Sequence, residues 1–278
     1  MTTAAHLRDK FAVVTGASTG IGAAITERLA ASGAHLVLVA RSAGKLDETA
    51  ERLSRRHGVI VRAVPLDLAA ADAPTRLAKT LADEGIEVEM LVNNAGVSTG
   101  GPVLDGDPAR FRSLIDVNVT ALTELTTLLM PAMVARGHGA VVNIASTGGY
   151  IPAPYLAVYA ATKAYVVSFT RALWAETRST GVRVVAVSPG PTKTPMNPRG
   201  TRSAEAVAAT VLRALSGTGP AVVDGRTNAL TALLFGRLLP PRLSLAVARR
   251  IMATGRKDVA PPHRPGEPVP PRQEAPES

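Results

Sequence analysis

No cysteine occurs in the 278 residues. Its absence excludes a disulfide framework, a cysteine-ligated zinc or iron–sulfur centre and a cysteine nucleophile. It also matches the usage of a reducing cytoplasm, the compartment expected here. Aromatic residues are few at 3%, whereas hydrophobic residues make up 46% and charged residues 19%. The core must therefore be aliphatic, and this balance belongs to globular chains, not to collagen-like, coiled-coil or disordered ones. Long apolar runs are missing as well. The leading MTTAAHLRDKFAVV has no stretch of signal-peptide length, and Ala229–Leu239 is interrupted by Arg237 and followed by Pro240-Pro241. Neither predicts a transmembrane segment. No metal site is expected.

Acidic side chains are absent between Arg226 and Lys257, where seven basic residues stand. That segment carries most of the formal charge of +9, leaving +2 for the rest of the chain. The pI of 10.4 thus describes one region, and no nucleic-acid partner is expected. The segment reads as a basic helical extension. A solvated helical pair, a cover over the site, a weak contact with anionic lipid and attraction to an acidic carrier all stay open for it. Residues 260–278 are proline-rich with almost no large apolar side chains, which predicts a disordered tail.

What is present is an alternation. Phe11–Thr15, His35–Ala40, Val59–Val64, Val88–Asn93, Ala140–Ala145 and Val182–Ser188 are short Val/Ile/Leu-rich runs of the kind buried on both faces of a parallel sheet, and Ala221–Val223 is a plausible seventh. Between them Gly20–Ser32, Gly44–His57, Asp72–Glu84, Pro108–Arg136 and Ala157–Thr180 have helical length and periodicity. The pattern predicts a Rossmann-like, doubly wound α/β fold: a mostly parallel seven-stranded sheet with helices on both faces and ligands beyond the carboxyl ends of its strands. The expected division is a domain over 1–225, the extension over 226–259 and the tail over 260–278.

The first run leads into Thr15-Gly16-Ala17-Ser18-Thr19-Gly20-Ile21-Gly22 and then a helix. Glycines there permit a tight strand-to-helix turn and close approach of a pyrophosphate, and the helix start offers free N–H groups and a favourable dipole. The spacing is GxxxGxG, not GxGxxG. Asn93-Asn94-Ala95-Gly96 ends the fourth run, Asn118 lies in Asp116-Val117-Asn118-Val119, and Pro189-Gly190 follows the sixth. Tyr159 and Lys163 form a YxxxK pair on one helix face, with Ser146 thirteen positions before the tyrosine.

On TGxxxGIG, NNAG, the serine and YxxxK, all in order from about Phe11 to Gly225, the chain resembles the short-chain dehydrogenases/reductases of the short, single-domain branch. The resemblance implies an NADP(H)-dependent oxidoreductase, with Tyr159 as proton donor and acceptor to a carbonyl or alcohol and Ser146 orienting the same oxygen. It implies that Lys163 holds the nicotinamide ribose and that Asn118 holds a water for proton relay. Gly16, Ser18, Thr19, Gly20, Ile21 and Gly22 would hold the cofactor's pyrophosphate, and Asn94, Ala95, Gly96, Pro189, Gly190, Thr192 and Thr194 would complete its site. Asp67 and Leu68 would face the adenine. Arg41, with Ser42, would read a 2′-phosphate, because the second run ends in Val39-Ala40-Arg41-Ser42 without the carboxylate that a 2′-hydroxyl requires. NADP(H) is therefore favoured over NAD(H); an ordinary solvated arginine is the other reading. An ammonium at Lys163 is expected to lower the phenol's pKa. Ser98–Gly106, Thr147–Leu156 and a lid over Pro195–Glu205 would bound a mostly apolar carbonyl substrate. A homodimer or homotetramer is implied, and a cofactor-binding regulatory or scaffold protein with little turnover is the alternative.

Overall fold

The computed structural model describes residues 4–254. Seven strands form one sheet: β1 Phe11–Thr15, β2 His35–Ala40, β3 Val61–Pro65, β4 Val88–Asn93, β5 Gly139–Ile144, β6 Val182–Ser188 and β7 Ala221–Val223. Their order is β3-β2-β1-β4-β5-β6-β7, and every neighbouring pair is parallel. The central strands are buried almost without interruption, which is why they read as unbroken apolar runs. The order reverses between β1 and β4, so a crevice opens beyond their carboxyl ends.

Helices α1 Gly20–Ala31, α2 Ala43–His57, α3 Ala73–Asp83, α4 Pro108–Ile115, α5 Ala121–Arg136 and α6 Ala157–Glu176 cover the two faces. One core cluster joins α1 and α2 to the sheet through Ile25, Leu29, Leu46 and Leu53. The other joins α3 and α5 through Leu77, Leu81, Leu125 and Met133. The single helix expected over Pro108–Arg136 is one continuous rod, but a π-turn at Asp116–Thr120 divides α4 from α5. Of the described helices it alone is long and apolar enough to cross a bilayer. Here its inner face lies on the sheet.

Helix α7, Ala204–Leu215, was not anticipated. Ser203 caps it by accepting from the Ala206 N–H, and its Val207, Ala208 and Val211 join the core with α1. The expected lid over Pro195–Glu205 is thus shortened, because Glu205 already lies in the first turn of α7. Beyond β7 the extension forms α8 Arg226–Leu233, a π-turn Leu234–Leu238 and α9 Pro241–Thr254. The expected tail over 260–278, and residues 255–259 before it, lie outside the described residues.

Candidate active site

The β1–α1 turn is built for close approach. Gly16 and Gly20 take positive φ, and a Cβ on Gly22 would strike the Gly16 carbonyl oxygen. Thr19 caps α1 with extended backbone and makes no side-chain cap hydrogen bond, so the cap does not occupy the N–H groups of the first turn. Ser18 is half-buried and Ile21 packs on the core below. A diphosphate fits such a turn, with the helix dipole and first-turn N–H groups as its partners.

Asn94, Ala95 and Gly96 are strapped to this turn. The Asn94 side-chain amide donates to the carbonyls of Thr15 (2.9 Å) and Gly16 (3.2 Å). The Thr15 hydroxyl accepts from the N–H groups of Asn94 (3.0 Å) and Ala95 (2.9 Å). At the far end, Leu66 N–H bonds the Ala40 carbonyl at 2.8 Å, which sets Asp67 beside the end of β2. Arg41, Ser42 and Asp67 are exposed there and Leu68 is buried.

The second cluster forms where β5 meets α6. Ser146 caps the turn Thr147–Gly149 by accepting from Gly148 N–H at 3.1 Å. Its hydroxyl and the Tyr159 ring border the same space, 3.5 Å and 3.9 Å from where a Gly148 side chain would begin, and the hydroxyl favours the phenolate. Burial raises the phenol's pKa above its ordinary 10, and the Ser146 hydroxyl only partly offsets that rise. The expected lowering by Lys163 is therefore not what the chain's own groups produce. Lys163 Nζ sits 5.9 Å from the ring centre and donates to the Ile144 carbonyl at 2.9 Å. Its own pKa is pushed down to about 8 by burial, which weakens it as a source of positive potential.

Asn118 is buried within the π-turn. Its Oδ1 accepts from Val97 N–H (2.9 Å), and its amide hydrogens go to the Val97 carbonyl (3.0 Å) and the Thr162 hydroxyl (3.1 Å). The amide is thus committed to holding the β4–α4 loop against α6. A side chain starting from Gly96 would stand 3.3 Å from Asn118 Oδ1 and 3.4 Å from Lys163 Nζ, so both groups border the same small space.

The third wall follows β6. Pro189 accepts from Thr147 N–H at 2.9 Å, and the Thr192 hydroxyl donates to the Gly190 carbonyl at 2.9 Å. Thr194 lies against the glycine turn, its methyl 3.0 Å from where a Gly20 side chain would begin. All the residues expected at the site therefore gather along the carboxyl edge of the sheet. A matching family model, described as short chain dehydrogenase, covers residues 10–205.

The chain belongs to the short-chain dehydrogenases.

It is a nicotinamide-dependent oxidoreductase of that family. An uncharacterized oxidoreductase of Staphylococcus saprophyticus is 36% identical over 192 residues, 69% of this chain and 82% of that protein. The human very-long-chain 3-oxoacyl-CoA reductase is 38% identical over 185 residues, 65% of this chain but only 58% of that protein. A solved short-chain dehydrogenase from Sphingobium yanoikuyae in complex with NADPH superposes with a TM-score of 0.75 at 30% identity, over 91% of this chain and 99% of that one.

Several supports of this dehydrogenase's site were not anticipated. Asn93 donates to Asn143 Oδ1 (2.9 Å) and the Thr126 hydroxyl (3.1 Å), and Asn143 donates to Thr170 (2.9 Å), a buried ladder tying β4 and β5 to α5 and α6. Arg202 closes the loop after Thr192 onto buried Asp224, with Nε at 2.6 Å and Nη2 at 2.9 Å. Burial raises the Asp224 carboxyl, but hydrogen bonds from Arg202 and Thr210 outweigh it and hold the pKa below the ordinary value.

Proposed function

We propose that this dehydrogenase interconverts a mostly apolar ketone or aldehyde and the corresponding alcohol, with NADP(H) preferred over NAD(H). The observation that carries the reading is that Ser146 and Tyr159 border one space beside buried Lys163. The nicotinamide supplies or takes the hydride. Tyr159, whose phenol is held neutral, gives its proton to the carbonyl oxygen during reduction and takes it back in the reverse direction. Ser146 donates to the same oxygen as charge develops on it. Lys163 holds the nicotinamide ribose, and water at the space bordered by Asn118 and Lys163 returns protons from solvent. The glycine turn from Gly16 to Gly22 takes the pyrophosphate, and the Asn94–Gly96 strap and the Pro189–Thr194 segment enclose the rest.

Three features support the finer reading. Arg41 is exposed where β2 ends, the strand itself closing in Val39-Ala40-Arg41-Ser42 without an Asp or Glu to bond a 2′-hydroxyl, and the Sphingobium relative is an NADPH complex. Val97, Ile151 and Met196 sit on the loops that would meet substrate, with few charges among them. Ile115, Leu128 and Tyr165 are exposed on α4, α5 and α6, apolar material for a homodimer or homotetramer. The regulatory alternative has little use for Ser146.

The test is calorimetric binding of NADPH and NADH to the wild type and to Arg41→Ala. The reading predicts tighter NADPH binding that falls to the NADH level in the variant. Equal or NADH-favoured binding by the wild type contradicts the NADP preference. Binding without turnover across a broad ketone panel favours the regulatory alternative.

A further inference from the structure

We propose that residues 226–254 form an interfacial surface that docks this protein on an anionic lipid bilayer. Leu230, Leu233, Leu234 and Leu238 follow one another at helical spacing along α8 and its π-turn, and all four are exposed, by 55%, 46%, 37% and 65%. Arg226, one turn before Leu230, is exposed in line with them. On α9 the inward face carries buried Ser244 and half-buried Val247 and Ala248. The outward face carries Arg242, Ala246, Arg249 and Arg250, flanked by exposed Leu243 and Leu245.

Six exposed leucines interleaved with arginines are a poor solvent-facing surface and a good interfacial one. Leucines enter the boundary between headgroups and acyl chains while guanidinium groups meet lipid phosphates. Sequence composition argues for lipid over two other occupants. A second copy of the same surface would bring Arg242 and Arg249 against basic residues, and no Asp or Glu between Arg226 and Lys257 could neutralise them. Residues 255–278 contain two valines and no leucine, isoleucine, methionine or aromatic residue with which to cover the six leucines.

The surface borders the proposed site. A side chain on Gly236 would stand 2.8 Å from the Tyr150 carbonyl oxygen, and Asn228 lies against Gly190. Docking by this face turns the Thr147–Tyr150 side of the crevice toward the bilayer. The proposal itself rests on the surface alone and holds whatever substrate the site accepts.

The experiment is flotation of the full-length protein with vesicles of phosphatidylcholine alone and of phosphatidylcholine with phosphatidylglycerol. Wild-type protein is expected to float with the anionic vesicles and to be released by salt, with little binding to the zwitterionic ones. Arg242→Glu/Arg249→Glu is expected to weaken anionic binding by at least about thirty-fold, at roughly five-fold for each charge removed. Leu230→Ser/Leu234→Ser/Leu238→Ser is expected to weaken it more than about ten-fold, with NADPH binding unchanged as the check on folding. Wild-type protein that ignores anionic vesicles overturns the proposal, as do variants that float like the wild type. So does concentration-dependent self-association that the leucine variant abolishes in the absence of vesicle binding.

Discussion

Lys163 Nζ lies 5.9 Å from the centre of the Tyr159 ring and gives its 2.9 Å hydrogen bond to the Ile144 carbonyl instead of the phenol. The lysine is 4% exposed, and burial pushes its pKa from 10.5 down to about 8. Below pH 8 both folded and unfolded chains carry the proton, and the fold bears the full burial cost of about 3 kcal/mol. Between 8 and 10.5 the unfolded chain binds the extra proton, so stability rises with pH across that window.

Lys163→Met removes this cost and leaves the Ile144 carbonyl without its partner, a loss of about 1 kcal/mol. The variant is therefore expected to be more stable than the wild type by about 2 kcal/mol at pH 7, while losing turnover. Urea unfolding at pH 7 and near pH 10 checks this: the advantage should disappear at the higher pH. A difference independent of pH contradicts the burial argument.

The same two groups set the expected pH–rate behaviour. Reduction needs the neutral phenol, which burial favours, and the charged lysine, which is lost above about 8. Reductive kcat/KM should be level below pH 8 and fall above it, whereas alcohol oxidation should gain with rising pH as the phenol ionises. Profiles measured in both directions on one substrate pair test this, and a reductive rate that climbs between pH 8 and 10 is the opposing result.

Asp224 is fully buried and takes a forked bond from Arg202, which is about one-third exposed. Asp224→Ala should cost about 3 kcal/mol, the low end for breaking a buried pair because water reaches the stranded guanidinium. The carboxyl's folded pKa is depressed, so its contribution is present above the unfolded value and vanishes as pH falls through the folded one. Wild type and variant should therefore converge in stability in acid. A variant as stable as the wild type at pH 7 contradicts the account.

The strands were legible because a parallel sheet buried on both faces leaves contiguous apolar runs. Six were placed within one residue, and β3 starts two residues late, at Val61, because its face is only half-buried and the pattern there is weaker. The glycine turn, the strap and the YxxxK pair were legible because their chemistry depends on local spacing. What escaped depends on distant partners. The Asn93–Asn143 bond exists only because β4 and β5 pair in that register. Arg202 and Asp224 are separated by helix α7, itself missed behind an expected lid. In the sequence Lys163 is a charge beside a phenol, and only the packing shows how far burial reduces that charge.

The most direct test of the account is Tyr159→Phe, assayed for NADPH binding and for ketone reduction in a single turnover. The phenol is the proposed acid, so the variant should bind NADPH like the wild type and reduce the ketone about 10²- to 10⁴-fold more slowly. A variant that keeps wild-type turnover would show that the proton comes from elsewhere, and the central claim would fall.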